Sequence, residues 1–243
     1  MKPSNPQFIS YGEYAILVQW EKIIDEKLLW FILAAKEKIK ENKGKAIVEV
    51  IHTFNSLLVK YDEPIKNIYD EILMFSELFS SMDIPKNKPV KRFSLPVCYD
   101  EKFALDLKVF AREKKLCPEE IISLHSSKIY TLYFMGFLPG FLYLGTLPKS
   151  LRLPRKKQPR KRIEKGAVGI AENQTGIYPK SSPGGWQIIG NCPVDLFQPN
   201  YLPPSIFSPG DQIEFYPVSL EEHGFISEEV KKEKFQHRME IIE

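Results

Sequence analysis

The chain has 243 residues, 43% of them hydrophobic and 27% charged, which is enough to bury a sizeable core and suits two modest domains. Its net charge of +3, from 34 basic and 31 acidic residues, is too balanced for a nucleic-acid binder. Four histidines and three cysteines are scattered without metal-ligand spacing, so no metal site is expected, and the unpaired cysteines suit a reducing compartment.

The stretch MKPSNPQFISYGEY lacks the apolar centre of a signal peptide, and no run of about 18 apolar residues follows, so a cytoplasmic chain that neither crosses nor docks on a membrane is expected. EYAILVQW (13–20) reads as a buried strand. Over 24–39, Ile24, Leu28, Phe31, Ile32, Ala35 and Ile39 mark one face of a helix, which Gly44 would end. AIVEVIH (46–52) and SLLVKYD (56–62) read as strands, and Ile65 to Met82 again repeats at helical spacing. VKRFSLPV (90–97) is the next strand. The order β-α-β-β-α-β is the split βαβ, or ferredoxin-like, pattern. PKNKP (85–89) reads as a linker, and the strand after it fits either side of that boundary.

The second half has a different texture. Helices are expected at 101–115 and at 118–126, where Pro118 and two glutamates suit the first turn. Short apolar runs then alternate with glycine and proline, which predicts a barrel or sandwich. The charge-rich end, 221–243, reads as a surface helix.

Four clusters carry chemistry. In GFLPGFLYLG (136–145), Gly136 and Gly140 permit close backbone approach, Pro139 fixes a bend, and Phe137, Phe141 and Tyr143 can line an apolar pocket. In PRKKQPR (154–160), Arg155 and Arg160 each follow a proline that holds the chain extended, and a guanidinium fork suits a carboxylate or phosphate. In GIAENQTGIYP (169–179), Gln174, Thr175 and Tyr178 are neutral hydrogen-bonding groups able to read an amide, with Gly176 letting the chain turn. In SSPGGWQIIG (181–190), Pro183-Gly184 fits a type II turn, Gly185 gives close approach, and Trp186 walls a cavity. The same clusters also read as a kinked strand, a solvated basic loop, a hairpin and a turn with a core tryptophan. His125 is the histidine nearest the first cluster. No phosphate loop, dinucleotide-binding glycine motif or nucleophile elbow occurs.

Together, LHSSKIYTLYFMGFLPGFLYLG, LPRKKQPR, GAVGIAENQTGIYPKSSPGGWQIIGNCPVDLF and PGDQIEFYPV resemble the carboxyltransferase C/D-subdomain family. That family includes the B component of bacterial 5-oxoprolinase, allophanate-hydrolase subunit 1 proteins and the sporulation-kinase inhibitor KipI. HTFNSLLVKYD (52–62) extends the likeness into the first half. The resemblance implies an α+β fold: a small ferredoxin-like α/β domain over 1–88 and a cyclophilin-like β-barrel over 89–243.

It also implies one component of an ATP-dependent complex that opens 5-oxo-L-proline to L-glutamate, with a homologous second subunit and an unrelated third one. Arg155 and Arg160 would then stabilise anionic charge, and His125 or Tyr178 would relay a proton. Phe137, Phe141 and Trp186 would wall the ring, with donors near Gly184 and Gly185. The alternatives are an inhibitor that docks on a histidine kinase and a urea or allophanate carboxyl-transfer component. Where many members have Gly-Arg-Thr-Pro, this chain has Gly190-Asn191-Cys192-Pro193, so an anion contact there is not expected.

Overall fold

The computed structural model describes residues 3–43, 46–83 and 88–242. The chain divides into two compact units, Met1–Lys88 and Pro89–Glu243. The expected helix stop at Gly44 and most of the expected linker at 85–89 lie outside the described residues.

The first unit holds strands β1 (Gln7–Ser10), β2 (Ala15–Gln19), β3 (Ile47–His52) and β4 (Ser56–Tyr61), with helices α1 (Glu26–Lys43) and α2 (Ile68–Ser81). The Asp25 carboxylate accepts from the Leu28 N–H at 2.9 Å and starts α1. Asn67 does the same for α2, accepting from the Tyr69 N–H at 3.0 Å. Leu28, Leu29, Ile32, Ala35 and Ile39 of α1 pack with Phe75 and Phe79 of α2 over Ile16, Val18, Leu57 and Val59 of the sheet. The sheet is antiparallel, in the order β1-β2-β4-β3. Its fourth place is filled by β1 and not by the strand at 90–97, which does not join this sheet. β1 is mostly exposed, so it lacks the apolar run that marks a buried strand.

The second unit contains β5 (Val90–Val97), α3 (Leu107–Lys114), α4 (Pro118–Ser126), β6 (Ile129–Met135), β7 (Leu142–Gly145), β8 (Arg160–Ile163), β9 (Ala167–Ala171) and β10 (Gln174–Ile177). It continues with β11 (Ser182–Gly184), β12 (Gln187–Asn191), β13 (Gln212–Pro217), α5 (Leu220–Lys231) and β14 (Arg238–Ile242). Eight strands form one mixed sheet in the order β12-β9-β10-β7-β6-β13-β5-β14, in which only β5 and β13 run parallel. β8 and β11 form a separate two-stranded ribbon.

Three expectations change here. The charged end is not all helix: α5 stops at Lys231 and the chain returns as β14 against β5. The large sheet does not close as a continuous barrel. β14 takes the outer edge of β5 at residues 90–94, so only Cys98, just past β5, reaches β12, exchanging two hydrogen bonds of 2.9 Å with Asn191. Asn191 is itself spoken for, since its side chain donates to the Lys165 carbonyl and meets His223 Nε2 at 2.9 Å. Finally, α3 starts at Leu107 rather than at 101, after a turn that ends on Asp106.

His125 sits in the centre of this unit and is fully buried. Its ring stacks on Phe215 at 4.8 Å, Nδ1 meets the Tyr99 hydroxyl at 2.8 Å and Nε2 meets Thr175 Oγ1 at 2.9 Å. Burial pushes its pKa down to about 3. The folded state therefore keeps His125 neutral where the unfolded chain binds a proton, and stability falls as pH drops below about 6.5. Going from pH 7 to pH 5 should cost ~2 kcal/mol from this group alone. Urea midpoints for the wild type and His125→Gln should converge on acidification. Parallel pH profiles would remove His125 from the acid sensitivity.

Candidate functional site

A cavity of about 280 Å³ opens in the second unit, lined by Phe137, Phe141, Tyr143, Arg155, Pro159, Tyr178, Pro183, Gly184, Gly185 and Trp186. Members of all four sequence clusters meet in it. Its floor is an aromatic box. Phe141 stands edge-on to Trp186 at 5.3 Å and to Tyr178 at 4.9 Å, and Tyr143 stands edge-on to Trp186 at 5.8 Å. Such pairs prefer these perpendicular arrangements and hold one another rigid. Phe137 remains 64% exposed at the rim, with its ring edge-on to Phe141.

Glycine makes the box possible at two positions. A Cβ on Gly176 would come within 3.0 Å of the Phe141 ring and 3.1 Å of the Trp186 ring. A Cβ on Gly184 would overlap the Tyr178 hydroxyl and lie 2.7 Å from Ile163 Cδ1. Both glycines are strand residues. The expected type II turn at Pro183-Gly184 is not formed, because β11 pairs there with β8 and Gly184 lies opposite Arg160. Likewise Gln174, Thr175 and Gly176 form strand β10 and not a turn; the chain reverses at 172–173, with Glu172 at φ 55°.

The polar side of the cavity is unequal. Arg155 is exposed, its guanidinium 6.0 Å from the Trp186 ring centroid, and among the described residues no carboxylate lies within ion-pair range of it. Arg160, predicted as its twin, is engaged elsewhere. It donates two bonds to the Asp106 carboxylate at 2.7 and 2.8 Å, and Lys156 Nζ adds a third at 2.8 Å. The Ile188 N–H supplies a fourth at 2.7 Å. Asp106 is 2% exposed. Burial pushes its carboxyl up, but Arg160, Lys156 and the Ile188 N–H outweigh this and hold it below the usual carboxylate range.

Tyr178, 1% exposed, has its hydroxyl pushed up to about 12 by burial, partly offset by the Trp186 backbone and the charges of Arg155 and Arg160. It keeps its proton near neutrality and so can donate a hydrogen bond. His125 and Thr175 bond to each other in the core and are not among the cavity's lining residues, so the expected histidine relay is not formed. Gly136, Pro139 and Gly140 shape the loop before β7; Gly140, at φ 84°, packs so closely that a Cβ would lie 2.5 Å from Phe197 Cβ. Asp106 and Pro159 were not anticipated. Asp106 precedes an apolar helical run, a signal for a helix start but not for a buried ion cluster.

No group of three or more metal-ligating side chains occurs among the described residues, and none of their helices is long and apolar enough to cross a membrane. Compared with known proteins, residues 6–207 match the family model for the carboxyltransferase domain, subdomain C and D. The chain belongs to this carboxyltransferase-domain family. One relative, named as the B component of 5-oxoprolinase, from Bacillus subtilis (strain 168), is 36% identical over 236 residues, covering 92% of this chain and 97% of that protein. Another of the same name, from Escherichia coli O157:H7, is 35% identical over 85% of this chain and 93% of its own length. The solved K. lactis urea amidolyase superposes with a TM-score of 0.84 at 20% identity, over 98% of this chain and 16% of that one, a likeness of fold. The carboxyltransferase C/D match ends at residue 207, so it takes in the entire cavity.

Gly184→Ala is the sharpest test of this cavity. Tyr178 and Ile163 are packed and cannot swing away freely, so a destabilisation of about 1–3 kcal/mol is expected, with altered Trp186 fluorescence. A stable variant with an unchanged spectrum would mean that Tyr178 does not rest over Gly184.

Proposed function

We propose that this chain is the B component of an ATP-dependent 5-oxoprolinase, opening 5-oxo-L-proline to L-glutamate with a homologous second subunit and an unrelated third. The observation that carries the reading is the cavity itself: an aromatic box with one cation free of any described carboxylate. Relatives of that name at 35% and 36% identity support it. In this reading the first unit is ferredoxin-like with β1 supplying the fourth strand. The second unit is a cyclophilin-like barrel left open beside β14, and the complex works in the cytoplasm.

The flat lactam ring lies against the wall that Phe141 and Trp186 form together, which excludes water on that side and strengthens the polar contacts made beside it. Its carboxylate pairs with Arg155, whose planar fork matches two oxygens at once. Tyr178, holding its proton, donates toward the lactam oxygen as negative charge builds there. Neither Arg160 nor His125 has a part in this scheme, because Asp106 and the core hold them.

ATP supplies the phosphoryl activation of the amide when it is bound in the complex. The residues of this cavity do not fit it. The space falls below the ~300–1,000 Å³ of sites for larger ligands, and Arg155 is the one cation among the residues lining it. This cavity is therefore not proposed as the ATP site.

In the reconstituted complex, Arg155→Ala should cut ATP-dependent glutamate formation by at least about tenfold, or ~1.4 kcal/mol of barrier. Unchanged turnover would take Arg155 out of the mechanism. A complex that releases no glutamate from 5-oxoproline, even with the wild-type chain, would overturn the assignment.

A further inference from the structure

The loop 154–160 carries four cations, Arg155, Lys156, Lys157 and Arg160, yet only Arg155 lines the cavity. Two of the others start beside it. Arg160 lies opposite Gly184 in the β8–β11 ribbon, and the Lys156 N–H donates to the Gly185 carbonyl at 2.7 Å. Gly184 and Gly185 both line the cavity, so the backbones of Lys156 and Arg160 flank it while their charged ends are turned onto Asp106.

We propose that Asp106 is a specificity-determining residue: by occupying Lys156 and Arg160 it leaves Arg155 as the one cationic side chain lining the cavity, and so selects a small ligand bearing a single carboxylate over phosphates. Arg160 spends both arms of its fork on Asp106, so it has little left for a ligand. A ligand could win those donors only by leaving the buried Asp106 carboxylate unpaired, which is costly. One remaining arginine satisfies a planar monoanion well. A phosphate, with more charge and more acceptor oxygens, needs several donors.

The inference rests on the 5-oxoprolinase reading for the natural ligand, but not for the charge preference. The test is calorimetric titration of the full chain at low ionic strength with three probes: 5-oxoproline, benzoate and pyrophosphate. The wild type should bind benzoate at least about tenfold more tightly than pyrophosphate. Asp106→Asn, used only where its circular dichroism matches the wild type, should gain at least about tenfold for pyrophosphate, because it frees two cations and raises the local charge by one. A folded Asp106→Asn with no such gain overturns the proposal, as does a wild type that prefers pyrophosphate or binds neither anion.

Lys156→Gln gives an arm that does not depend on Asp106→Asn folding. It should hold benzoate affinity within about threefold, whereas Arg155→Gln should lose at least about tenfold. Equal losses in the two variants overturn the proposal. Benzoate binding without 5-oxoproline binding supports the charge preference and counts against the functional reading alone.

Discussion

Asp106 accepts four hydrogen bonds, from both arms of Arg160, from Lys156 Nζ and from the Ile188 N–H. Its own N–H donates to the Ile188 carbonyl at 2.8 Å, so the residue is stitched to β12 through backbone and side chain together. Three pieces of chain far apart in sequence are joined by this one carboxylate: the start of α3, the basic loop and β12. A basic loop would otherwise be solvated and mobile, since like charges repel and exposed ion pairs contribute little. Held by the Arg160 fork on Asp106 and by the Lys156 backbone on Gly185, it has a defined path, and Arg155 and Pro159 are delivered to the cavity edge. Leaving a charge of so buried a cluster unpaired typically costs about 3–5 kcal/mol, which makes the Asp106 carboxylate the point of greatest leverage around the site.

The cavity stays open because its walls cannot collapse into it. Four aromatic rings meet mostly edge to face, and glycines at 176 and 184 sit where any side chain would collide with them. The Lys156–Gly185 bond and the bond from Gln187 Nε2 to the Pro154 carbonyl, at 3.1 Å, then lash the basic loop against the strand that leads to Trp186. Rigid walls and a tethered loop give a preorganised site, which spares a ligand the cost of ordering it.

Much of this was legible in the sequence. The long helices declared themselves through Leu28, Ile32 and Ala35 and through Phe75 and Phe79, because a helix that buries one face must repeat its apolar residues. The clustering of glycine, proline and aromatics located most of the lining residues, since a cavity beside a close-packed backbone needs those types. What was hidden depends on partners distant in the chain. Arg160 and Arg155 look alike in sequence, each after a proline, and only Asp106, about fifty residues earlier, tells them apart. His125 read by itself as a structural histidine and became a relay only through the family resemblance, because sequence records its type and not its burial. β1 and β14 are exposed strands with mixed residues, and a strand without a buried face has no alternation to read. The type II turn failed for a related reason: Pro-Gly fits a turn locally, but pairing with β8 drew it into a ribbon.

The parallel pairing of β5 with β13 has a consequence for how the chain is made. Arg92 lies opposite Gln212, and β14, from the far end, covers the other edge of β5. During synthesis, then, residues 90–97 emerge from the ribosome long before either neighbour exists. The leading unit, whose strands all lie before residue 62, can acquire its sheet while translation continues. The trailing unit must wait, with the strand unpaired, until residues 212–217 and 238–242 have been made. At about 5–20 residues per second that interval is several seconds or more, during which an unpaired strand is open to wrong partners.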